Sequence, residues 1–332
     1  MFSQQMLEEH NRNYKAYFGA FNGACPRTMI TKAVITAAGL GTRLLSVTKV
    51  QPKEMLPVFA RAQSGAVCMK PIVQLVYEDL FRSGFRRFCL VVGRGQAIIR
   101  EHFNPDPALP SILARHGKNG LAKELERFHE MLRQSRIEWV SQPSPRGFGD
   151  AVMKAKSFIG GDPFLVHAGD NFFISKDLEH LRNLLHTAQS LGPSVTFLVR
   201  KVEDPSSHGI VEPAEEVNGL IRVKKVVEKP LMSSSNIGIM PVYVFQPDIF
   251  ARLKEVRPGY AGELQLTDGI QRTIVSGNAV YAVRLNEGVI RVDVGSPATY
   301  MEAQSLSYHH ASVSAESLED AGPNIAPIPE VV

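Results

Sequence analysis

Residues 31–58, TKAVITAAGLGTRLLSVTKVQPKEMLPV, set Gly39 and Gly41 and then the cations Arg43 and Lys53 behind a short apolar run. Glycines let backbone N–H groups close on an anion with no Cβ in the way, and the two cations supply charge. This is equipment for a nucleoside triphosphate. Farther along, Asp170 follows the apolar run 164–168 and Asp293 follows the mostly apolar segment 289–292. One or two carboxylates, completed by waters and phosphate oxygens, are the usual protein contribution to a Mg²⁺ site. Each acid also reads as a cap, Asp170 of a turn and Asp293 of a helix starting near Pro297.

Spacing excludes two better-known phosphate loops. A dinucleotide fingerprint needs a third glycine three positions after Gly41, where Leu44 stands. A Walker loop needs Gly-Lys-Ser/Thr where the chain has Leu44, Leu45 and Ser46. What remains is G-x-G-T-R followed by P-K-E-M-L-P. Nor does any serine stand in an arrangement with His and Asp that suggests a triad, and His167 is expected to face the core.

The elements that position these residues alternate. Apolar runs predict strands at 32–37, 88–92, 137–141, 164–168, 195–200, 223–228, 239–245 and 279–284. Helical spacing predicts helices at 71–82, 96–103, 121–134, 150–158, 177–190, 264–276 and 297–309. The alternation implies an α/β fold, a Rossmann-like mixed, mostly parallel sheet flanked by helices, with ligands at the carboxyl ends of its strands. The 332 residues at 44% apolar content suffice for a large core, as one domain or two intimate halves.

A net charge of +4, with basic and acidic residues interspersed, argues against nucleic acid as a partner. Cys25, Cys68 and Cys89 have no metal-ligand spacing and suit reduced thiols in a cytoplasmic protein. No membrane segment is expected. Residues 1–29, with Phe2, Met6, Tyr14, Tyr17, Phe18 and Phe21, suggest an amphipathic arm, and 311–332 reads as a mobile tail.

Residues 31–58, together with QPSPRGFGDA at 142–151, AGDN at 168–171, VVEKP at 226–230, GELQLTDGI at 262–270 and RVDVGSP at 291–297, resemble the motifs of sugar-nucleotide nucleotidyltransferases. The likeness covers roughly 31–310, and it is nearest to the UTP–glucose-1-phosphate uridylyltransferases. The resemblance implies a nucleotidyltransferase domain at 30–310, with a nucleotide-binding half over about 30–170 and a sugar-binding half over about 171–310. It implies UTP and a sugar 1-phosphate as substrates, Mg²⁺ as cofactor and a homo-oligomer, dimer or tetramer. By resemblance Arg43 and Lys53 contact the triphosphate and Lys229 the sugar phosphate, with Ala38, Gly39, Leu40, Gly41 and Thr42 as the nucleotide loop. Asp170 and Asp293 take the metal, Asp170 also lying against the nucleotide.

The remaining roles combine resemblance with chemistry. Gln142 offers a donor and an acceptor to the imide edge of a pyrimidine, and Gly147 opens the turn beside it. Glu228 suits sugar hydroxyls, Gly209 lies against the hexose and Asn236 helps line that pocket. Glu263 is expected at the pocket edge, or as a cap of the following helix. In-line attack by the already anionic sugar phosphate on the α-phosphorus needs positioning and charge neutralisation rather than a protein nucleophile.

Three departures from the bacterial pattern bear on the sugar. Residues 60–69 expand a loop before Lys70-Pro71, AGDN replaces A-D-D, and Met240-Pro241 stands where Gly-Arg is frequent, all resembling an archaeal branch. Residues 102–134 resemble the insertion that separates uridylyltransferases from the shorter thymidylyltransferases. A thymidylyltransferase using dTTP and a non-catalytic sugar-nucleotide sensor are the alternatives, and the full set Arg43, Lys53, Asp170, Lys229 and Asp293 disfavours the sensor.

Overall fold

The computed structural model describes residues 29–93 and 96–313. The expected arm, apart from Met29, the tail from 314 onward, and Cys25 lie outside the described residues.

The first strand, β1 (Lys32–Ala37), is buried at all six positions. Its side chains divide by the two-residue period, Ala33, Ile35 and Ala37 to one core layer and Val34 to the other. Strand β4 (Arg87–Val92) repeats the division, with Phe88, Leu90 and Val92 against Cys89 and Val91. Buried on both faces, such strands read as unbroken apolar runs, and this is why they are visible in the sequence.

The remaining strands are β2 (Pro57–Arg61), β3 (Val67–Pro71), β5 (Arg136–Ser141), β6 (Phe164–Ala168), β7 (Asn171–Ile174) and β8 (Val195–Lys201). They continue with β9 (Gly209–Val217), β10 (Leu220–Glu228), β11 (Ile237–Phe245), β12 (Val280–Arg284) and β13 (Ile290–Asp293). Nine of these form one sheet in the order β5-β4-β1-β6-β11-β8-β12-β10-β9. β5, β4, β1 and β6 run parallel, as do β8 and β12. β11 is antiparallel to both β6 and β8, and β9 and β10 add an antiparallel edge. The mixed sheet is as expected, with its parallel order concentrated in the half that carries the glycine loop.

Helices cover both faces. One layer holds α1 (Ile72–Arg82), α2 (Gln96–His102), α3 (Ala108–Arg115), α4 (Asn119–Arg133) and, after further elements, α7 (Glu179–Leu191). Val76 and Leu80 of α1, Phe128 of α4 and Leu181 of α7 pack here against Ile35 and Leu90. On the other face α5 (Phe148–Lys154), α6 (Lys156–Ile159), α8 (Ile249–Glu255) and α9 (Leu266–Val275) bury Val152, Ile159, Phe250 and Ile270. The single helix expected over 150–158 is thus two, broken after Lys154.

Two small ribbons were not foreseen. β2 and β3 pair as a hairpin over 57–71 that takes in residues 60–69, the stretch read as an expanded loop. It is clamped by α10 (Pro297–Ser312), whose Tyr300 hydroxyl and Gln304 amide both donate to the Pro57 carbonyl, at 3.0 and 2.6 Å. β7 and β13 form the second ribbon, pairing Asn171 with Asp293. No helix among the described residues is long and apolar enough to cross a membrane.

Candidate active site

The glycine loop leaves the carboxyl end of β1. Gly41 has φ +62°, and a Cβ there would lie 2.9 Å from the Thr48 side chain, so this turn requires glycine. The Thr48 hydroxyl donates to the Gly41 carbonyl at 2.8 Å and the Leu44 amide donates to the same oxygen at 2.9 Å. Ala38 is buried at the strand end, while Gly39, Leu40, Thr42 and Arg43 are exposed. After the loop the chain makes short 3-10 turns, Thr42–Leu44, Val47–Lys49 and Lys53–Met55, rather than a helix. The last turn brings Lys53 back beneath Gly39, its Cε 3.2 Å from where a Cβ would stand.

Lys53 Nζ donates to Asp170 Oδ2, joining the glycine loop to the end of β6. Asn171 Nδ2 donates to the other Asp170 oxygen at 3.0 Å. Across the β7–β13 ribbon stands Asp293, whose neighbourhood includes the Arg43 guanidinium, 3.3 Å from the Cβ position of Gly295. The helix that follows is capped by Ser296, which accepts from the Thr299 amide in a capping box. Asp293 is therefore not that cap. The sequence separates Asp170 from Asp293 by more than a hundred residues, and the four-residue ribbon is what sets them together.

Electrostatics mark this centre. Burial would raise the Asp170 pKa, but the Lys53 charge and hydrogen bond, with help from Asn171 and Arg291, bring it to about 2. Burial would lower that of Lys53, and Asp170, Glu54 and Asp293 more than reverse this, holding it above its ordinary value. Asp293 is raised, first by burial, with Arg291 opposing and Asp170 adding to the rise. Glu54, 1% exposed and with Oε2 lacking a hydrogen-bond partner, is pushed by burial to about 7.

Among the described residues no cluster of three or more His, Cys, Asp or Glu is placed for a metal. Two carboxylates brought together, the charge of Asp170 raising the proton affinity of Asp293, beside a loop open to phosphate, nevertheless fit a hard divalent ion that takes its other oxygens from water and substrate.

The second part of the site lies on the antiparallel edge. Glu228 ends β10 opposite Gly209, the first residue of β9. The Thr267 hydroxyl donates to Glu228 Oε2 at 2.6 Å, and a Cβ on Gly209 would meet Thr267 at 3.0 Å and Glu228 at 3.2 Å. Lys229 follows with φ +40°, its amide donating to the His208 carbonyl at 3.0 Å. Its Nζ is 3.8 Å from Glu228 Oε1 and 5.0 Å from the Tyr260 ring centre. Among the described residues Asn236 makes no hydrogen bond to this group; its carbonyl accepts from the Val202 amide at 2.8 Å.

Between these parts Gln142 continues from β5. Its amide nitrogen donates to Asp150 Oδ2 at 2.7 Å and to the Gly147 carbonyl at 3.2 Å. Gly147, at φ +103°, would place a Cβ 2.6 Å from the Leu264 carbonyl and 2.9 Å from Glu263. The Gly149 amide donates to Leu264 and the Leu264 amide to Arg146, at 2.9 and 2.8 Å, so GELQL is stitched to the Gln142 turn. Glu263 packs on that turn, and α9 has Gln265 rather than Glu263 at its N-cap position. His167 is 3% exposed and burial lowers its pKa to about 4, as a core residue should be.

Sequence reasoning missed Arg291, Asn171, Glu54 and Thr267. Arg291 Nε donates to Asn171 Oδ1 at 2.6 Å, its Nη1 lies 3.3 Å from His208 Nε2 and its Nη2 3.4 Å from Asp293 Oδ2. One cation thus ties the Asp170 turn, the Asp293 strand and the loop before Gly209. A signal existed, because positions i and i+2 of a strand share a face, so Arg291 had to accompany Asp293.

The nucleotidyl transferase family profile matches residues 32–309. A putative UTP–glucose-1-phosphate uridylyltransferase of Methanocaldococcus jannaschii is 35% identical over 83% of this chain and 92% of its own length. The UTP–glucose-1-phosphate uridylyltransferase of Bacillus subtilis is 36% identical over 73% of this chain and 80% of its own. These near-equal identities do not single out an archaeal branch. A crystal structure of UDP-glucose pyrophosphorylase complexed with UDP-glucose superposes with a TM-score of 0.73 at 28% identity, covering 85% of this chain and all of that one. The UTP-bound enzyme of Acinetobacter baumannii gives 0.71 at 29%, covering 85% of this chain and 93% of its own. The chain belongs to the nucleotidyl transferase family, alongside the UTP–glucose-1-phosphate uridylyltransferases.

Proposed function

We propose that this chain transfers a uridylyl group from UTP to glucose 1-phosphate, forming UDP-glucose and pyrophosphate. The observation that carries the reading is the juxtaposition of Lys53, Asp170 and Asp293 beside the glycine loop, with Glu228 and Lys229 on the facing edge. In this reading the nucleotide half spans about 30–170 and the sugar half about 171–310.

Arg43 and Lys53 would draw the triphosphate charge toward the departing pyrophosphate, with backbone N–H groups of 39–42 closing on it. Lys53 is kept protonated by Asp170, so it meets substrate as a full cation at neutral pH. Mg²⁺ fits Asp170 and Asp293, and when bound it would supply charge neutralisation at the phosphorus under attack. Lys229 would hold the sugar phosphate in line, and Glu228, positioned by Thr267, would accept from hexose hydroxyls. Because the Gln142 nitrogen is committed to Asp150 and Gly147, its carbonyl oxygen is the group offered to an imide N–H of uracil. Family membership also supports a homo-oligomer, dimer or tetramer, which light scattering reads.

The test is pyrophosphate release across UTP, dTTP, CTP, ATP and GTP paired with glucose, galactose and N-acetylglucosamine 1-phosphates. Highest kcat/KM for UTP with glucose 1-phosphate supports the reading; preference for dTTP, or no release from any pair, would overturn it.

A further inference from the structure

Lys229 is poorly restrained for a residue asked to hold a phosphate. Its backbone is held by the hydrogen bond from its amide to His208, but its side chain is 35% exposed and its ion pair with Glu228 is long at 3.8 Å. A lysine stem carries about 2 kcal/mol of rotamer entropy, which binding must overcome. Closer approach to Glu228 would pin the ammonium, but would also occupy the carboxylate needed for sugar hydroxyls. The other recorded neighbour of Nζ is the ring of Tyr260, with its centre 5.0 Å away.

Tyr260 is 56% exposed, so its ring is outside the core and accessible to a cation. It sits on a built turn. The Gly259 amide donates to the Glu263 carbonyl at 2.9 Å, and the Glu263 amide and Gln265 Nε2 both donate to the Tyr260 carbonyl, at 3.2 and 3.0 Å. A Cβ on Gly259 would lie 2.8 Å from Asp268 Oδ2, so α9 also bears on the turn. Immediately beyond, Leu264 is bonded to the Gln142 turn through Arg146 and Gly149. The backbone that carries the ring is thus held from both ends of the segment, with the Lys229 ammonium over the ring.

We propose that Tyr260 is the positioning residue for Lys229. Its ring face holds the ammonium off Glu228 by a cation–π contact, pre-set over the sugar-phosphate subsite. An aromatic face attracts the cation without consuming any of its three N–H donors, which stay available to phosphate oxygens. Glu228 keeps one oxygen bonded to Thr267 and the other for the hexose.

The inference rests on the proposed uridylyltransferase activity, so the parent protein is assayed first; lack of turnover there would count against that activity and not specifically against Tyr260. With an active parent, Tyr260→Ala is expected to raise KM for glucose 1-phosphate roughly 3- to 10-fold, the range of such contacts, with kcat and KM for UTP changing much less. Tyr260→Phe keeps the face and should recover most of the loss. In ¹³C-methylated protein, the Lys229 methyl signal should lose its ring-current shift in Tyr260→Ala and keep it in Tyr260→Phe. An unchanged KM for glucose 1-phosphate, equal rises for both substrates, or a Lys229 signal unmoved by Tyr260→Ala would each overturn the proposal. Thermal unfolding of Tyr260→Ala matching the parent excludes a general loss of structure.

Discussion

In the proposed reading the two parts of the site share one problem, holding anions, and they are built in opposite ways. Around Lys53 the charges are buried and already matched: Lys53 with Asp170, Arg291 with Asp293, side chains 16–26% exposed, and Glu54 sealed beneath them. Around Lys229 the cation is more open, its side chain 35% exposed, with one long ion pair to Glu228, one ring face beside it, and a hydroxyl rather than a countercharge closing on the carboxylate. The first arrangement gathers at the carboxyl ends of the buried parallel strands β1 and β6 and on the small antiparallel β7–β13 ribbon, and the second on the antiparallel edge of the large sheet and its turns. Where chemistry needs a fixed field, the protein keeps countercharges in low dielectric. Where the proposed function needs a sugar admitted, a short hydrogen bond leaves one carboxylate oxygen free for the ligand.

If this contrast is right, deletions at the first centre should strike turnover and those at the second should strike substrate affinity. Lys53→Ala should have the largest effect. It removes the cation facing the triphosphate and leaves Asp170 and Glu54 without their partner, and kcat should fall on the order of 10² to 10³-fold. Pyrophosphate release measures it, and a near-normal kcat would remove Lys53 from the chemistry. Next is Asp293→Asn, which halves the carboxylate pair while leaving the Ser296 cap intact. The Mg²⁺ concentration for half-maximal rate should rise by roughly 10- to 100-fold, at least the scale known for outer partners of a metal. An unchanged Mg²⁺ titration would show that the ribbon brings the two acids together for some other purpose.

At the sugar edge Glu228→Gln should act differently. It keeps the size and one acceptor but replaces the other with a donor facing the Thr267 hydroxyl, so KM for glucose 1-phosphate should rise about 10-fold, the cost of a charged hydrogen bond. KM for UTP should stay put. Steady-state kinetics with each substrate varied in turn decides it, and a fall confined to kcat would erase the distinction between the two regions.

The same contrast governs what the sequence reveals. Strands at 32–37 and 164–168 were legible to the residue because every position is buried. The β2–β3 hairpin was not, because residues 60–69 mix small, polar and apolar residues with no regular alternation and the hairpin is held by Tyr300, Gln304 and Arg61 contacts spanning some 240 residues or more. Local pattern carries no trace of such partners. Asp170 and Asp293 could be joined beforehand only through resemblance, since a four-residue ribbon has no periodicity to read. Arg291 lay in a recognised motif but its reach to Asn171 and His208 depends on that ribbon. The division over Glu263 was settled by geometry alone, its backbone turning into the Gln142 loop rather than capping α9.

The last effect expected at the buried centre is on stability and concerns Glu54. Burial raises its pKa from 4.5 to about 7, so between those values the folded protein keeps a proton that the unfolded chain has released. The unfolded state then binds fewer protons, and stability must fall as pH rises through this window, levelling off above it. Below pH 4.5 both states are protonated and the group contributes nothing. Glu54→Gln mimics the protonated form and cannot ionise. The variant should therefore lie within about 1 kcal/mol of the parent at pH 5 and exceed it at pH 8 by roughly 3 kcal/mol. Urea unfolding at the two pH values checks this. Every other titrating group is common to both proteins, so the change in their difference isolates Glu54. A gap that is equal at pH 5 and pH 8 would mean that Lys53 holds Glu54 ionised throughout. The centre would then be a closed set of matched charges with no proton to spare.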